Sequence, residues 1–248
     1  MIRRKLALCL PFYMNHGMLD EQLRRLERLP ETIKSELELI IVDDGSPNGE
    51  AQARDIGLPV RVFRIDVDIR WNQDAARNIG AYEANASWLL LTDIDHLVPR
   101  RTFEWLLSNT LGRKTVYRFQ RMTLDAIEGK KDRLTEYKPH PNSWLMTREI
   151  YFKIGGYDER FAGHYGTDAE FRDRVLRCAG EPVMLDAPLY RVPRTTIADA
   201  STTTYVRKGA PEDVGAIQRI KNERAEDPQW KPLHFRNPYR QIFPAPKS

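Results

Sequence analysis

The chain has 248 residues, of which 41% are hydrophobic and 30% are charged. This composition is ordinary for a globular protein, and the length suits one large α/β domain or two small ones. The 39 Lys and Arg against 35 Asp and Glu give a net charge of +4, which favours anionic partners such as nucleotides but is too weak to indicate nucleic-acid binding. The two cysteines exclude a disulfide-rich scaffold, and no apolar run approaches the ~20 residues of a membrane span. We therefore expect a cytoplasmic protein without a transmembrane segment.

In the first half of the chain, apolar strands alternate with helices. The N-terminal apolar run superficially resembles a secretion signal, but Pro11 closes it after about seven residues and no cleavage pattern follows. Strands are predicted at 6–12, 37–44, 60–66 and 88–93, and helices at 17–30, 74–86 and 101–111. This order predicts an α/β fold with a mostly parallel central sheet flanked by helices.

From about residue 115 the pattern changes. The stretches "TVYRFQRM" and "LTEYK" on either side of "EGKK" predict a small β-arm, followed by a helix closed by Gly180 and a last strand at 182–194. The Thr-rich stretch "TTIADASTTTYVRKG" is predicted to be a mobile loop, and a further helix begins at Pro211. The C-terminal tail carries five of the 16 prolines and is predicted to be irregular, so that it either wraps the domain or contacts a second subunit.

Asp93 and Asp95 stand where the apolar run "WLLL" ends. Two carboxylates this close repel each other unless a cation lies between them. Hard oxygen ligands suit Mg²⁺ or Mn²⁺, which are held by one or two carboxylates while substrate phosphates complete the coordination. The alternative is that Asp93 caps a turn and Asp95 is solvated.

Three other stretches carry side chains suited to binding or reaction. Asp43 and Asp44 end a strand, where a carboxylate can accept hydrogen bonds from a base N–H or ribose hydroxyls, or else form a plain Asx turn. Arg77 lies near the start of a helix, where backbone N–H groups favour an anion, or else it pairs with Asp74 one turn earlier. Asp168 opens a helix and could act as a general base towards an attacking hydroxyl, or serve only as the helix cap.

The strand ends relate these motifs to one another. In parallel α/β sheets the ligand binds beyond the carboxyl ends of the strands. The polar pairs at those ends are therefore expected to share one crevice: Tyr13 and Asn15, Asp43 and Asp44, and Asp93 and Asp95.

Five stretches together resemble a known family. They are "LPFYMN", "LIIVDDGSPNG", "WNQDAARNIGA", "LLLTDIDHLVP" and "IGGYDERFAGHYGTDAEFRDRV", in the order found in nucleotide-sugar-dependent glycosyltransferases of the GT-A fold. The inverting family 2 enzymes are the most similar, and the last stretch is similar to the C-terminal segment of galactosyltransferase-like members. The resemblance covers roughly residues 5 to 180, and its specificity lies in the order of motifs that are individually weak.

The resemblance implies a role for each matching position. The donor nucleotide would be bound by Pro11, Tyr13, Asp43, Asp44, Arg77 and Asp93. Either Asp43 or Asp44 would contact the base or ribose. Asp93 and Asp95 would hold the metal ion, Mn²⁺ or Mg²⁺, and Asp168 matches the catalytic base of the family's "ED" motif.

The sequence departs from the family pattern in that last motif. It reads "TDAE" where the family usually has "EDxD", so Thr167 replaces a glutamate that typically helps to bind the acceptor. Acceptor contacts are expected from Glu159, His164, Tyr165 and Thr167. A third protein ligand for the metal is not evident; His234 is best placed by order, and His164 and His140 are weaker candidates.

The implied enzyme has one glycosyltransferase domain at 1–210, with a nucleotide-binding half (1–112) and an acceptor-binding half (113–210). The helix and Pro-rich tail at 211–248 could support a homo-oligomer. The implied reaction is metal-dependent, inverting transfer of a hexose-type sugar from a nucleoside-diphosphate sugar, with UDP the family's commonest nucleotide. The acceptor would be a hydroxyl on a glycan, a lipid-linked sugar, a protein or a modified nucleic acid. The Thr-rich loop would close over the donor.

Two other interpretations fit parts of the sequence. A phosphatase or phosphotransferase of the haloacid dehalogenase type also runs an apolar strand into DxD, but near its first strand, whereas three predicted strands precede the motif here. A catalytically silent nucleotide-sugar-binding protein would keep the fold without the activity. Asp93, Asp95 and Asp168 argue against it, and Thr167 leaves it open.

Overall fold

The computed structural model describes residues 5–123, 138–202, 214–226 and 235–244. Within these ranges one sheet has nine strands. The strands are β1 (Leu6–Phe12), β2 (Leu37–Asp43), β3 (Val60–Ile65), β4 (Trp88–Leu91), β5 (His96–Leu97), β6 (Tyr117–Thr123), β7 (Trp144–Thr147), β8 (Val183–Arg191) and β9 (Tyr239–Phe243). The helices are α1 (His16–Glu27), α2 (Glu31–Lys34), α3 (Gln73–Glu83), α4 (Arg100–Ser108), α5 (Arg148–Ile154), α6 (Asp168–Ala179) and α7 (Val214–Glu226), with a 3₁₀ turn at Glu159–Phe161.

The centre of the sheet is parallel. The strand order is β5-β8-β6-β7-β4-β1-β2-β3-β9, and β4, β1, β2 and β3 run in the same direction, which confirms the four strands predicted for the first half. β1 and β2 are buried at every position, because alternate side chains enter cores on opposite faces. Leu6, Leu8 and Leu10 pack with α1 residues on one face, and Ala7 and Cys9 pack with α3 residues on the other.

Helix α3 approaches the sheet closely through its small residues. A Cβ added to Gly80 would lie 3.3 Å from the Cβ of Cys9, so only glycine permits this spacing without a shift. The approach brings the first turns of α3 to the carboxyl end of β4, where Arg77 meets Asp93.

The outer strands make the sheet mixed. β7 is antiparallel to β4, and β6 is antiparallel to β7 and parallel to β8. β6 is therefore an interior strand and not part of a separate β-arm as predicted; residues 124–137 of that arm lie outside the described residues. One sheet runs through both predicted halves of the domain.

The prediction of an irregular tail was wrong at residues 239–243. β9 pairs antiparallel with β3, between Pro238 and Pro244. Proline cannot donate a ladder hydrogen bond, but it is tolerated at the ends of an edge strand. Phe235 and Tyr239 pack against the core on the α3 face, so the described part of the tail wraps its own domain.

None of the helices in the described ranges is both long enough and apolar enough to cross a bilayer.

Candidate active site

A cleft of about 320 Å³ opens at the carboxyl ends of the strands. Its lining comes from the ends of β1, β4, β6 and β8 and from adjoining loops: Pro11, Asn15, Gln73, Asp93, Ile94, Asp95, His96, Arg121, His140, Arg191, Ala200 and Ser201. Pro11 and Asn15, from β1 and the loop after it, and the pair Asp93 and Asp95 thus share one cleft. The other strand-end residues expected there do not line it: Tyr13, Asp43 and Asp44.

Asp93 is held between helix α3 and the loop before β7. Its Oδ1 accepts a hydrogen bond of 2.6 Å from Arg77 Nη2, and its Oδ2 lies 3.4 Å from His140 Nε2. Burial, followed by the neighbouring His96, lowers the pKa of His140 well below its usual value. The His140 ring is therefore neutral at pH 7, and Arg77 supplies the positive charge opposite Asp93.

Asp95 is held by the residue after it and by the loop after β8. Its Oδ1 lies 2.7 Å from His96 Nδ1, and its Oδ2 accepts a hydrogen bond of 3.2 Å from Ser201 Oγ. The backbone N–H of Val192 donates to the Asp95 carbonyl at 2.8 Å. The side chains of Asp93 and Asp95 remain 21% and 15% exposed, so a ligand in the cleft can reach both carboxylates.

Arg77 links helix α3 to the DxD motif. Its side chain is only 2% exposed, and its Nη1 donates to Asp74 at 3.3 Å. Its Nη2 donates to Gln73 at 2.8 Å as well as to Asp93, and its guanidinium lies 5.1 Å from the centre of the Tyr157 ring. Arg77 therefore pairs with Asp74, as the alternative interpretation expected, and it also reaches the DxD motif.

Asp74 is a largely buried carboxyl whose pKa is raised by its surroundings. Burial raises its pKa to about 7; Arg77 opposes this rise, and the carboxylates of Asp168 and Asp158 add to it. Asp74 and Asp168 therefore belong to one electrostatic cluster beside the cleft.

Asp43 shapes the loop after β2. Its carboxylate accepts hydrogen bonds from the backbone of Ser46 at 2.8 Å and of Ala51 at 2.9 Å, and from Arg64 Nη1 at 3.0 Å. Gly45, with a φ of +71°, passes so close to the Val67 backbone that a Cβ would clash there. The carboxylate of Asp43 is therefore engaged in holding this turn.

Asp44 and Tyr13 lie beside that turn. Asp44 is buried, and its N–H donates to the Phe12 carbonyl at 2.9 Å. Tyr13 is also buried, and its hydroxyl donates to Asp68 Oδ2 at 3.2 Å. The predicted base-binding residues thus meet at the carboxyl ends of β1 and β2.

Asp168 begins α6 and does not itself line the cleft. Its Oδ1 accepts a hydrogen bond of 2.8 Å from Asn142 Nδ2, and Asn142 Oδ1 accepts one of 3.4 Å from the Tyr157 hydroxyl. Among the residues described, Asp168 Oδ2 makes no hydrogen bond. The charge of Asp168 acts on Arg77. One oxygen is thus oriented by Asn142, and the other is available to a hydroxyl.

Glu159, expected at the acceptor, has a different position. Its Oε1 accepts a hydrogen bond of 2.9 Å from Asn78 Nδ2, and its Oε2 accepts one of 3.0 Å from the backbone of Arg236. The residue is buried, and it ties α3 to the C-terminal tail. This placement does not support the acceptor-binding role.

The other three acceptor candidates lie around the start of α6. Tyr165 packs edge-on against Trp71 with ring centres 4.5 Å apart, and His164 donates its N–H to the Phe161 carbonyl at 2.9 Å. Thr167 is buried at the N-cap of α6 and makes no side-chain cap hydrogen bond. Their role towards an acceptor stays a prediction.

The sequence model of glycosyl transferase family 2 matches residues 8–164, which is more than half of the chain. The chain belongs to glycosyl transferase family 2. The matched range contains Arg77, Asp93 and Asp95, and Asp168 lies just beyond its end. No curated protein matches the chain.

Among solved structures, this family 2 glycosyltransferase is similar to TarS of S. aureus. The TarS 1–349 complex with UDP-GlcNAc has a TM-score of 0.59 at 16% identity, over 79% of this chain and 61% of that one. The TarS 1–349 complex with UDP has a TM-score of 0.59 at 15% identity, over 87% and 68%. The likeness confirms the predicted GT-A fold class. A third similar structure is the catalytic domain of Drosophila beta1,4galactosyltransferase 7 in complex with xylobiose. It has a TM-score of 0.44 at 15% identity, over 74% of this chain and 65% of that one. This structure is too distant to test the predicted galactosyltransferase-like segment.

Sequence analysis of this glycosyltransferase missed residues that come from distant loops. Ser201 lies in the Thr-rich stretch that was predicted to be mobile. Asp199, two residues earlier, accepts hydrogen bonds from Gly17 N at 2.6 Å and Met18 N at 2.9 Å, so this part of the loop is anchored to the start of α1. No sequence signal pointed to Asn142, because it belongs to no recognised motif.

The cleft offers oxygen ligands for a divalent cation without a complete protein cage. In the described ranges, no three His, Cys, Asp or Glu side chains are grouped so that they could hold a metal ion. Asp93 and Asp95 are partly exposed carboxylates of the kind that hold Mg²⁺ or Mn²⁺ together with phosphates and water, so the residues fit such an ion. Of the third-ligand candidates, His140 lies beside Asp93, His164 does not line the cleft, and His234 lies outside the described residues.

Proposed function

We propose that this family 2 glycosyltransferase is a metal-dependent inverting enzyme. It transfers a hexosyl group from a nucleoside-diphosphate sugar, with UDP as the nucleotide, to an acceptor hydroxyl. The observation that carries the proposal is the position of Asp93 and Asp95 in one cleft at the carboxyl ends of the strands, where Asp93 accepts a hydrogen bond from Arg77. The TarS fragments of the same fold contain UDP and UDP-GlcNAc, which supports the choice of nucleotide.

The nucleoside is assigned to the carboxyl ends of β1 and β2. We assign its polar contact to Asp44, because the carboxylate of Asp43 already accepts hydrogen bonds from Ser46, Ala51 and Arg64. A carboxylate acceptor suits a base N–H or the ribose hydroxyls. Pro11, which lines the cleft, provides an apolar surface for the base.

The diphosphate is assigned to the DxD motif. Asp93 and Asp95 would hold Mn²⁺ or Mg²⁺, and such an ion, when bound, neutralises charge on the departing diphosphate. Arg77 fixes Asp93 through its hydrogen bond of 2.6 Å, so this carboxylate is oriented before any ligand arrives. Preorganisation of this kind lowers the reorganisation that the reaction requires.

Asp168 is assigned as the general base. Its Oδ1 is fixed by Asn142 at 2.8 Å, and its Oδ2 would accept the proton of the acceptor hydroxyl. As the acceptor oxygen forms its bond to the anomeric carbon, the bond from this carbon to the diphosphate oxygen breaks on the opposite face. The product is inverted, and no sugar is attached to the protein.

Thermal melting with Mn²⁺ and a panel of nucleoside diphosphates tests donor binding. A ligand that binds only the folded state stabilises it by about 2.7 kcal/mol at a hundredfold excess over its dissociation constant. We expect the largest shift with UDP, dependent on Mn²⁺ and lost in Asp95→Ala, whereas Asp186→Ala, at an exposed position of β8, keeps it. If no nucleotide shifts the wild-type curve with any metal, the proposal fails.

Substitution of the base tests the chemistry separately. Asp168→Asn should keep the UDP-dependent shift but lower turnover of a UDP-sugar by about 10²- to 10⁴-fold, the usual contribution of general-base catalysis. Equal turnover in the variant and the wild type would remove Asp168 from the mechanism. Product inversion is read from the anomeric coupling constant by NMR.

A further inference from the structure

Two arginines line the cleft at the end formed by β6 and β8. Arg121 lies in β6 and Arg191 at the end of β8, and both line the cleft together with Asp93 and Asp95. The two strands are parallel neighbours in which Arg121 is opposite Leu189 and Thr123 is opposite Arg191. Because residues two apart in a strand point to the same side, both arginine side chains project from one face of the sheet.

The carboxylates of Asp93 and Asp95 do not pair with Arg191. Asp93 is paired with Arg77 at 2.6 Å, and Asp95 is held by His96 and Ser201. Within the described part of the chain, the Arg191 side chain, which is half-buried, makes no hydrogen bond or ion pair. An arginine stays charged at any physiological pH, so Arg191 presents a partly desolvated positive charge to whatever enters the cleft.

The strand order separates this charge from the nucleoside. The residues assigned to the base and ribose follow β1 and β2, the DxD motif follows β4, and β7, β6 and β8 lie on the other side of β4. A ligand that spans the cleft from the nucleoside therefore passes the DxD motif before it reaches Arg121 and Arg191. In the proposed reaction the anomeric carbon lies beyond the diphosphate as seen from the nucleoside, so we assign this end of the cleft to the acceptor.

We propose that Arg121 and Arg191 form a phosphate-binding subsite for the acceptor, whose reactive hydroxyl lies close to a phosphate or phosphodiester group. The guanidinium fork matches the spacing of phosphate oxygens and binds them with two parallel hydrogen bonds. The inference rests on the proposed glycosyl transfer for the meaning of "acceptor", but phosphate binding at the two arginines can be measured by itself. The donor's own diphosphate is the other source of the same chemistry.

The test uses the full chain saturated with UDP and Mn²⁺, with sn-glycerol 3-phosphate as the probe and glycerol as its uncharged control. Isothermal titration should detect the phosphate probe and not glycerol. Arg121→Gln and Arg191→Gln should each weaken binding of the phosphate probe about tenfold or more, the scale of a lost charge-assisted hydrogen bond. Both variants should leave UDP affinity unchanged. Arg191→Lys, which keeps the charge, should lose less. Arg54→Gln, a matched charge removal on the exposed surface, should change neither ligand.

Each other outcome has a defined meaning. If the Gln variants weaken UDP and the probe competes with UDP, the arginines bind the donor's diphosphate and the acceptor assignment is overturned. If the wild type does not bind the probe, or the Gln variants bind it equally well, there is no phosphate subsite. If the wild type binds the probe but not UDP, and the Gln variants no longer bind the probe, the phosphate subsite is confirmed and the proposed donor is wrong.

Discussion

Replacement of Arg77 by glutamine is the sharpest test of how the DxD motif is held. The guanidinium donates to Asp93 at 2.6 Å, to Gln73 at 2.8 Å and to Asp74 at 3.3 Å, and its side chain is 2% exposed. Breaking a buried ion pair by removing one partner costs about 3–5 kcal/mol. The partner carboxylates keep some contact with water, so we expect Arg77→Gln to lower the free energy of unfolding by about 3 kcal/mol.

Urea denaturation with and without Mn²⁺ then separates a structural role from a role at the site. In the variant, Asp93 and Asp95 lose the neighbouring positive charge, and a divalent cation between them should restore part of it. We therefore expect saturating Mn²⁺ to reduce the loss in free energy of unfolding caused by Arg77→Gln by about 1 kcal/mol. The matched control is Arg61→Gln, which removes an arginine paired with Glu38 at 3.1 Å away from the cleft, and its deficit should not depend on Mn²⁺.

Two results would refute this reasoning. A loss below about 1 kcal/mol, the range of ordinary surface substitutions and exposed pairs, would mean that the Arg77–Asp93 pair does not stabilise the fold. An equal response of Arg77→Gln and Arg61→Gln to Mn²⁺ would mean that the cation does not bind at Asp93 and Asp95.

Three further predictions concern the supports of the site. Asn78→Ala removes buried hydrogen bonds to Glu159 and to the Tyr157 backbone and should cost about 3 kcal/mol in urea denaturation; a loss under 1 kcal/mol would contradict the role of this residue. The pKa of Asp74 is about 7 in the folded chain against an ordinary 3.8. Between these pH values the folded state binds more protons than the unfolded state, so the contribution of Asp74 to the free energy of unfolding falls as pH rises from about 4 to 7. Asp74→Asn should flatten that part of a stability–pH curve, and an unchanged slope would contradict the raised pKa. Asp199→Ala removes the acceptor for two backbone N–H groups at the start of α1 and should lower the free energy of unfolding by about 1–2 kcal/mol. Asp199→Asn should lower it less. Equal stability of the wild type and both variants would show that the contact is not stabilising.

The sequence by itself determined the elements and motifs of the first half. β1 was predicted at its observed bounds, Leu6–Phe12, and the DxD motif was placed at the end of a buried strand, because continuous apolar runs and turn residues report burial locally. The meeting of Asn15, Asp93 and Asp95 in the cleft followed from the rule that parallel strands present their carboxyl ends at one edge. The rule did not hold for Tyr13, Asp43 and Asp44, which do not line the cleft. Family membership followed from motif order.

Only the tertiary structure decided which side chains are engaged elsewhere and which face the cleft. Asp43 and Asp44 are indistinguishable in sequence, yet Asp43 holds a turn through hydrogen bonds reaching as far as Arg64. Glu159 was expected at the acceptor but is buried against Asn78 and the tail. The tail strand β9 pairs with β3 more than 170 residues earlier, and Ser201 reaches Asp95 across 106 residues. Such pairings depend on complementary surfaces that meet only when the chain has folded, and local periodicity carries no record of them.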